Sequence, residues 1–184
     1  SGDVALEGIF GGALEVQTAS GSQNLKGRFA SGKLRSASGD IEVSQASFSE
    51  DLAVEAASGD LEISNVLAQE LRLRSASGDV RMDRVCAEIL DLESTSGDLD
   101  LEQVLSKENF QCRTRSGDVL LKRCDGPHME FTTISGDISG SLLHGKQFSY
   151  QTVSGDMNLH GGTPQGTCTI STVSGDADLE IEEE

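Results

Sequence analysis

The chain contains no tryptophan, one tyrosine and two prolines, and aromatic residues make up 4% of its 184 positions. Large core anchors are therefore scarce, and the interior has to be packed from small and branched side chains. A stack of thin, similar layers meets that condition. No apolar run reaches the roughly 18 residues of a membrane-spanning helix, and no secretory leader is evident. The chain opens at Ser1-Gly2-Asp3, inside a repeated motif and without an initiator methionine, so it reads as a piece of a longer protein. Basic residues are few: 14 Lys and Arg stand against 31 Asp and Glu, for a net charge of −17. Such a surface repels phosphate backbones and anionic membranes, which argues against a nucleic-acid partner. Cations and basic proteins are compatible with it, although solubility alone accounts for the charge.

Glycine, by contrast, occurs 21 times. Gly2, Gly21, Gly39, Gly59, Gly78, Gly97, Gly117, Gly136, Gly155 and Gly175 recur at intervals of 18–20 residues. All but one sit in Ser-Gly-Asp; Ser20-Gly21-Ser22 is a degenerate copy. A period of this length marks a solenoid. Counted from each glycine, position +2 reads Val4, Ile41, Leu61, Val80, Leu99, Val119, Ile138 and Met157. Position +4 includes Leu25, Val43, Ile63, Met82, Leu101, Leu121 and Leu159. Position +7 holds Ile9, Ala46, Val66, Val85, Val104, Cys124 and Leu143. Before the glycine, −7 includes Leu52, Leu71, Leu90, Phe110, Met129 and Phe148, and −5 includes Leu34, Val54, Leu73, Leu92, Cys112, Phe131 and Tyr150. Apolar residues two apart are the period of a half-buried strand. Each repeat thus predicts one strand after Ser-Gly-Asp and one before the next copy. Equivalent strands stack in parallel about 4.8 Å apart.

The expected fold is all-β: a single-stranded parallel β-helix (β-solenoid) of nine to ten coils of 19–20 residues, one domain over 1–184. Right-handedness is expected from parallel crossovers in general. Residues 20–38 are an irregular coil or part of a cap, because the copies at Gly21 and Gly32 depart from the pattern. Gly140 also departs, at a +4 core position.

The motif has a mechanical reading. Position −3 is small (Ala56, Ser75, Ser94, Thr114, Thr133, Thr152), and by parity −3 and the serine at −1 point inward, where a hydroxyl needs a backbone partner. The turn glycines Gly39, Gly59, Gly78, Gly97, Gly117, Gly136, Gly155 and Gly175 supply a backbone conformation other residues avoid. The aspartate at +1 points outward and closes an Asx turn. Among the outward columns, −4 alternates in sign through Arg35, Glu55, Arg74, Glu93 and Arg113, so neighbours can pair across strands. Position −2 changes from Ala37, Ala57, Ala76, Thr95 and Arg115 to Ile134, Val153 and Val173. These three either form an exposed interface patch or are buried by a local shift of parity.

Tandem Ser-Gly-Asp-[aliphatic]-x-[aliphatic] units at this spacing resemble bacterial adhesin-like repeat domains of unknown function, also called toast-rack-like. The resemblance covers nearly the whole chain. It implies a parallel β-helix and an envelope-associated bacterial protein, and it brings no catalytic residues.

Several motifs carry alternative chemistry. Asp40, Asp60, Asp79, Asp98, Asp118, Asp137 and Asp156 form a carboxylate ladder that calcium could relieve. The nine-residue Gly-Gly-x-Gly-x-Asp pattern of calcium β-rolls is absent, however. Cys86, Cys112, Cys124 and Cys168 contain no Cys-x-x-Cys pair, which argues against zinc. Cys112, Cys124 and Cys168 fall in core columns, and a Cys112–Cys124 disulfide stays open. His128, His144 and His160 lie off the coil period and read as surface or loop residues. Tyr150 is expected inside, its hydroxyl reaching a backbone or turn group.

The expected function is a non-catalytic structural or interaction rod, adhesin-like or envelope-associated, with a protein or glycan partner and no cofactor. The alternative is a calcium-binding solenoid or a carbohydrate-acting β-helix. Self-association through the apolar patch or a terminal coil is a further expectation. The cell envelope or another extracytoplasmic location is favoured over the cytoplasm.

Overall fold

The structure, a computed structural model, describes residues 2–9, 11–161 and 167–180, and of 143–146 the backbone alone. The expectations for the side chains of Leu143 and His144, and for the terminal 181–184 stretch, lie outside the described residues.

Fourteen strands join in one parallel sheet that winds into a β-solenoid of about nine turns. The first three repeats each give two strands: β1 (Val4–Ile9) and β2 (Ala13–Ser20), β3 (Gln23–Phe29) and β4 (Ser31–Ser38), β5 (Ile41–Phe48) and β6 (Asp51–Ser58). From the fourth coil the two expected strands fuse into one: β7 (Leu61–Ser77), β8 (Val80–Ser96), β9 (Leu99–Ser116), β10 (Val119–Ser135) and β11 (Ile138–Ser154). β12 (Met157–Gly161), β13 (Cys168–Ser174) and β14 (Ala177–Glu180) complete the stack. Fusion follows where the ladder continues round the far side of the coil, even across the extra residue of β9, which enters as a bulge between Ser106 and Asn109. β7 and β8 pair from Leu61↔Val80 through Ala68↔Ala87 to Ser77↔Ser96, so the ladder carries on round the far side of the coil. Between β5 and β6 the chain has one more residue than its neighbour, and it bends at Ser49 and Glu50 instead.

The expected columns form the core. Leu61, Ile63, Leu71 and Leu73 are each at most 1% accessible, and their equivalents in the coils on either side are buried with them. Burial of each such aliphatic is worth about 1.5–3 kcal/mol. The spacing between +4 and +7 is three, not two, and the backbone shows why. Gln45, Asn65, Arg84, Gln103 and Arg123, all at +6, adopt φ of 50–55°. This left-handed residue acts as a bulge: it turns the strand so that +5 and +6 both face outward and +7 turns in. The first coil has Gly8 at +6 with a positive φ of 148°, outside the 50–55° range of the later coils, and its register with β3 runs unbroken from Val4 to Ile9. Ile9 is consequently 80% exposed, not part of the core column as its spacing suggests.

Parity also fails for the serine at −1. The −3 residues are buried, but Ser38, Ser58 and Ser77 are exposed, because the chain turns between −3 and the glycine. The second coil is irregular in a compensated way. Gln23 occupies the apolar +2 site, and its amide donates to Thr18 Oγ1 (2.8 Å) and the Arg35 carbonyl (2.6 Å). At Gly32 a Cβ would lie 2.6 Å from the Phe48 ring, so the missing side chain makes room for Phe48, which stacks on Phe29 at 5.3 Å. Both halves of this coil pair with the coils on either side.

At the corner, Gly97 has φ of 117°, and an added Cβ would collide with the Gly78 carbonyl oxygen one coil away. Gly97→Ala should therefore lower stability by about 3 kcal/mol or more in denaturant unfolding, from strain plus displacement of the neighbouring coil. Gly2→Ala, with nothing within 4 Å, should cost only the backbone strain.

Candidate binding surfaces

Parallel stacking carries each corner aspartate onto the next coil. Asp40 Oδ1 accepts the backbone N–H of Asp60 at 2.9 Å, and the same bond climbs through Asp79, Asp98, Asp118, Asp137 and Asp156 to Asp176 at 2.8–3.0 Å. The expected Asx turn within one coil is thus replaced by a bond between coils. Register explains it: the carboxylate at +1 lies against the equivalent amide of its neighbour. The exposed serines follow suit, Ser38 Oγ donating to the Ala19 carbonyl and Ser58 Oγ to that of Ala37, both at 3.2 Å. Each carboxylate already has one oxygen committed to the backbone. Among the described residues no three Asp, Glu, His or Cys side chains converge as a metal site.

The outer face of the sheet before the corner carries the −4 column. Arg35 grips Glu55 through two bonds of 2.9 and 3.4 Å, and Arg74 meets Glu93 at 3.2 Å, as the alternating signs predict. Arg113 departs from the series and approaches Asp91 at 3.9 Å. All are solvent-exposed pairs, each worth about 0–1 kcal/mol. Beside them Ala37, Ala57 and Ala76 floor an open trough of about 860 Å³. Further along, the −2 column rises: Ile134 is 48%, Val153 50% and Val173 80% exposed, so parity holds there and the three are outward-facing.

The remaining singled-out residues are mostly interior. All four cysteines are free thiols, Cys112 and Cys124 buried and Cys86 and Cys168 partly so. Burial, with Cys124 and Asp91 nearby, pushes Cys112 from the usual 9.0 up to about 12. Burial pushes Cys124 to about 11 against backbone hydrogen bonds that favour its thiolate. Tyr150 is fully buried, and burial raises its pKa while neighbouring Thr152 lowers it. Its hydroxyl does not reach the expected backbone group. Its side-chain neighbour is Thr152, at −3. In that −3 column the hydroxyls of Ser94, Thr114 and Thr133 are buried without a hydrogen-bond partner among the described residues. Ser75, at −3 one coil earlier, bonds its own turn at the Gly78 carbonyl (3.4 Å).

One feature escaped the sequence reading. His128 does not stack on another histidine, but it does stack on Asn109 and Gln147, its partners in register. Together with Thr167 they wall a groove of about 470 Å³ whose floor includes Met129 and Phe148. The signal was present at −8, a column of unlike side chains that apolar periodicity does not pick out.

Asp98→Ala removes the acceptor for the Asp118 amide and should lower stability by about 1 kcal/mol. Asp98→Asn keeps an oxygen there and should be neutral or slightly stabilising, since it relieves the ladder's repulsion. Millimolar Ca²⁺ should shift the melting midpoint no more than monovalent salt of equal ionic strength; a saturable rise would make the ladder a cation site. Cys112 and Cys124 should resist iodoacetamide at pH 8 until the chain unfolds. The stability their burial supplies should be complete below pH 9 and disappear as pH rises from 9 towards 12, where unfolded thiols ionise and folded ones do not.

No curated protein and no solved structure shows significant similarity to the chain. The Toastrack DUF4097 family model matches residues 1–64 and 49–184. Those two overlapping segments span the whole sequence, and with the repeat-by-repeat solenoid beneath them they place the chain in the Toastrack DUF4097 family, a domain of unknown function.

Proposed function

We propose that the chain is a non-catalytic interaction rod, adhesin-like and associated with a bacterial envelope, that engages a protein or glycan partner along its side. The solenoid fold and the Toastrack family fit a non-catalytic scaffold. The observation that carries the reading is how the polar side chains are used. The corner aspartates accept from the following coil, the corner serines donate to the preceding one, and the outward arginines pair with neighbouring carboxylates. The buried thiols are held protonated, which suits packing and not nucleophilic attack. A rod built this way offers a long, rigid and regular surface, the property an adhesive or scaffolding element needs. Its negative charge disfavours nucleic acid and anionic bilayers as partners.

The test is retention without chemistry. Immobilised protein incubated with purified bacterial envelope fragments should hold them against washing, with no rise in reducing ends or free amines over hours. Released product would overturn the non-catalytic reading. Failure to retain any envelope fraction would overturn the envelope association.

A further inference from the structure

Parallel register lines up one outward file of side chains along much of the rod. Arg28, Ser47, Leu67, Cys86, Leu105 and Asp125 are partners in register, one from each of six successive coils. From Ser47 onward this is position +8, two residues past the left-handed bulge at +6 that sets its outward phase. Leu67 is 57% and Leu105 39% exposed, and the Cys86 thiol between them is half-buried and free. Arg28 is exposed and makes no hydrogen bond or ion pair among the described residues. Asp125 is half-buried, and its Oδ1 accepts the Gly126 amide at 2.8 Å. The file is therefore apolar in the middle, cationic at one end and anionic at the other.

Such a file is complementary to itself read backwards. Let a second copy face it with its rod antiparallel, about a two-fold axis midway between Leu67 and Cys86. Leu67 then meets Cys86 of the second copy, Leu105 meets Ser47, and Arg28 meets Asp125, each contact occurring twice. The flanking outward columns agree. Arg84 at +6 faces Asn65 of the second copy, and Glu88 at +10 faces Gln69, so neither meets a like charge. Other arrangements fail. An axis through Cys86 sets Arg84 against Arg84 and Glu88 against Glu88. An axis one coil further along puts Leu67 on Asp125. Parallel rods set Arg28 against Arg28 and Asp125 against Asp125. Like charges brought face to face cost affinity and select against those registers.

Net charge and area fit the same occupant. Two copies at −17 repel at a distance. In this file and the outward columns beside it, however, Arg28, Arg84, Lys107 and Arg123 stand against Glu88 and Asp125, so the negative excess lies elsewhere. Six strands about 4.8 Å apart and five residues of about 3.3 Å each give a face of roughly 29 by 16 Å. Arg28 and Asp125, both well inside the chain, bound it. Two such faces bury roughly 900 Å² in all, at the lower end of specific interfaces, which makes the contact weak and reversible. We infer that this face joins two copies of the chain as an antiparallel dimer, with Leu67, Cys86 and Leu105 at its centre and an Arg28–Asp125 pair at each rim. The contact neither needs nor excludes a partner at the envelope.

The experiment is analytical ultracentrifugation of the intact chain from about 10 µM to about 1 mM. A reversible monomer–dimer equilibrium that stops at two copies is expected, because a two-fold contact closes. Alkylation of Cys86 by iodoacetamide should slow as the dimer fills, while that of Cys168 should not. Leu67→Ser and Leu105→Ser, both at exposed positions, should each weaken the dimer about tenfold or more with little change in melting midpoint. Arg28→Glu and Asp125→Lys should each weaken it about tenfold, and the two together should restore it to within about threefold of the native chain. Ile134→Ser, on the separate apolar patch, should change nothing. A chain that stays monomeric at about 1 mM would overturn the inference, as would assembly past the dimer. Dimers dissolved by Ile134→Ser and not by Leu67→Ser would move the contact to the other patch and overturn it too. If the paired reversal fails to restore association while each variant melts as the native chain does, the antiparallel register is wrong.

Discussion

At the Ser-Gly-Asp corner successive coils meet backbone to backbone. From Gly39 to Gly175 an added Cβ would land on the carbonyl of the glycine one coil away, at 2.5 Å or closer. This contact sets the coil spacing at the value a parallel ladder requires. The Oδ1-to-amide bond of the neighbouring aspartates locks the same spacing a residue later. A side chain here would push two coils apart and break the hydrogen-bond ladder on either side of the corner. The conformational demand and the steric demand fall on one residue, and only glycine meets both.

The rest of the cross-section is positioned by that corner. Two-residue alternation runs out from it in each direction, and the left-handed residue at +6 adjusts the phase so that +7 reaches the core. Where the adjustment is missing, in the first coil, Ile9 faces solvent. Where a coil gains a residue, around Ser49 and Glu50, the strand breaks and the ladder resumes beyond. Length variation is thus absorbed on the side away from the glycines, and the corner itself keeps its register from Ser38 to Ser154. The surface inherits this order. Each outward column is a straight file of side chains, so a change of residue type along it becomes a change of surface character along the rod. The shift from paired charges at Arg35–Glu55 and Arg74–Glu93 to uncharged polar and aliphatic groups at Thr132, Ile134, Gln151 and Val153 is such a change.

The interior shows the converse economy. With no tryptophan and few aromatics, the core relies on aliphatic columns, and its rings meet in two places, Phe29 on Phe48 in the early coils and a longer series in the later ones. There Phe110, Phe131 and Phe148 contact in series at 5.4 and 5.6 Å. Glycine at position 32 accommodates Phe48 in the same spirit, one residue giving up volume for its neighbour in the stack. Such exchanges are invisible to a column-by-column reading, because the compensation crosses from one coil and one column to another.

Sequence alone determined the solenoid, its period, its inward columns at +2, +4, −5 and −7, and the charge pairing of Arg35 with Glu55 and Arg74 with Glu93. Each of these is repeated, and repetition turns weak local preferences into a strong signal. The tertiary structure decided what repetition leaves ambiguous. Whether an aspartate bonds its own turn or the next coil depends on which amide the stacking brings closer. Whether Ser38 or Ile9 faces in or out depends on a change of backbone phase between regular strands. Ile134, Val153 and Val173 could be outward or buried until the path of the neighbouring backbone placed them outside. The His128–Gln147 groove was hidden for another reason: its walls are unlike residues brought into line by register, and no composition or periodicity marks them until the coils are stacked.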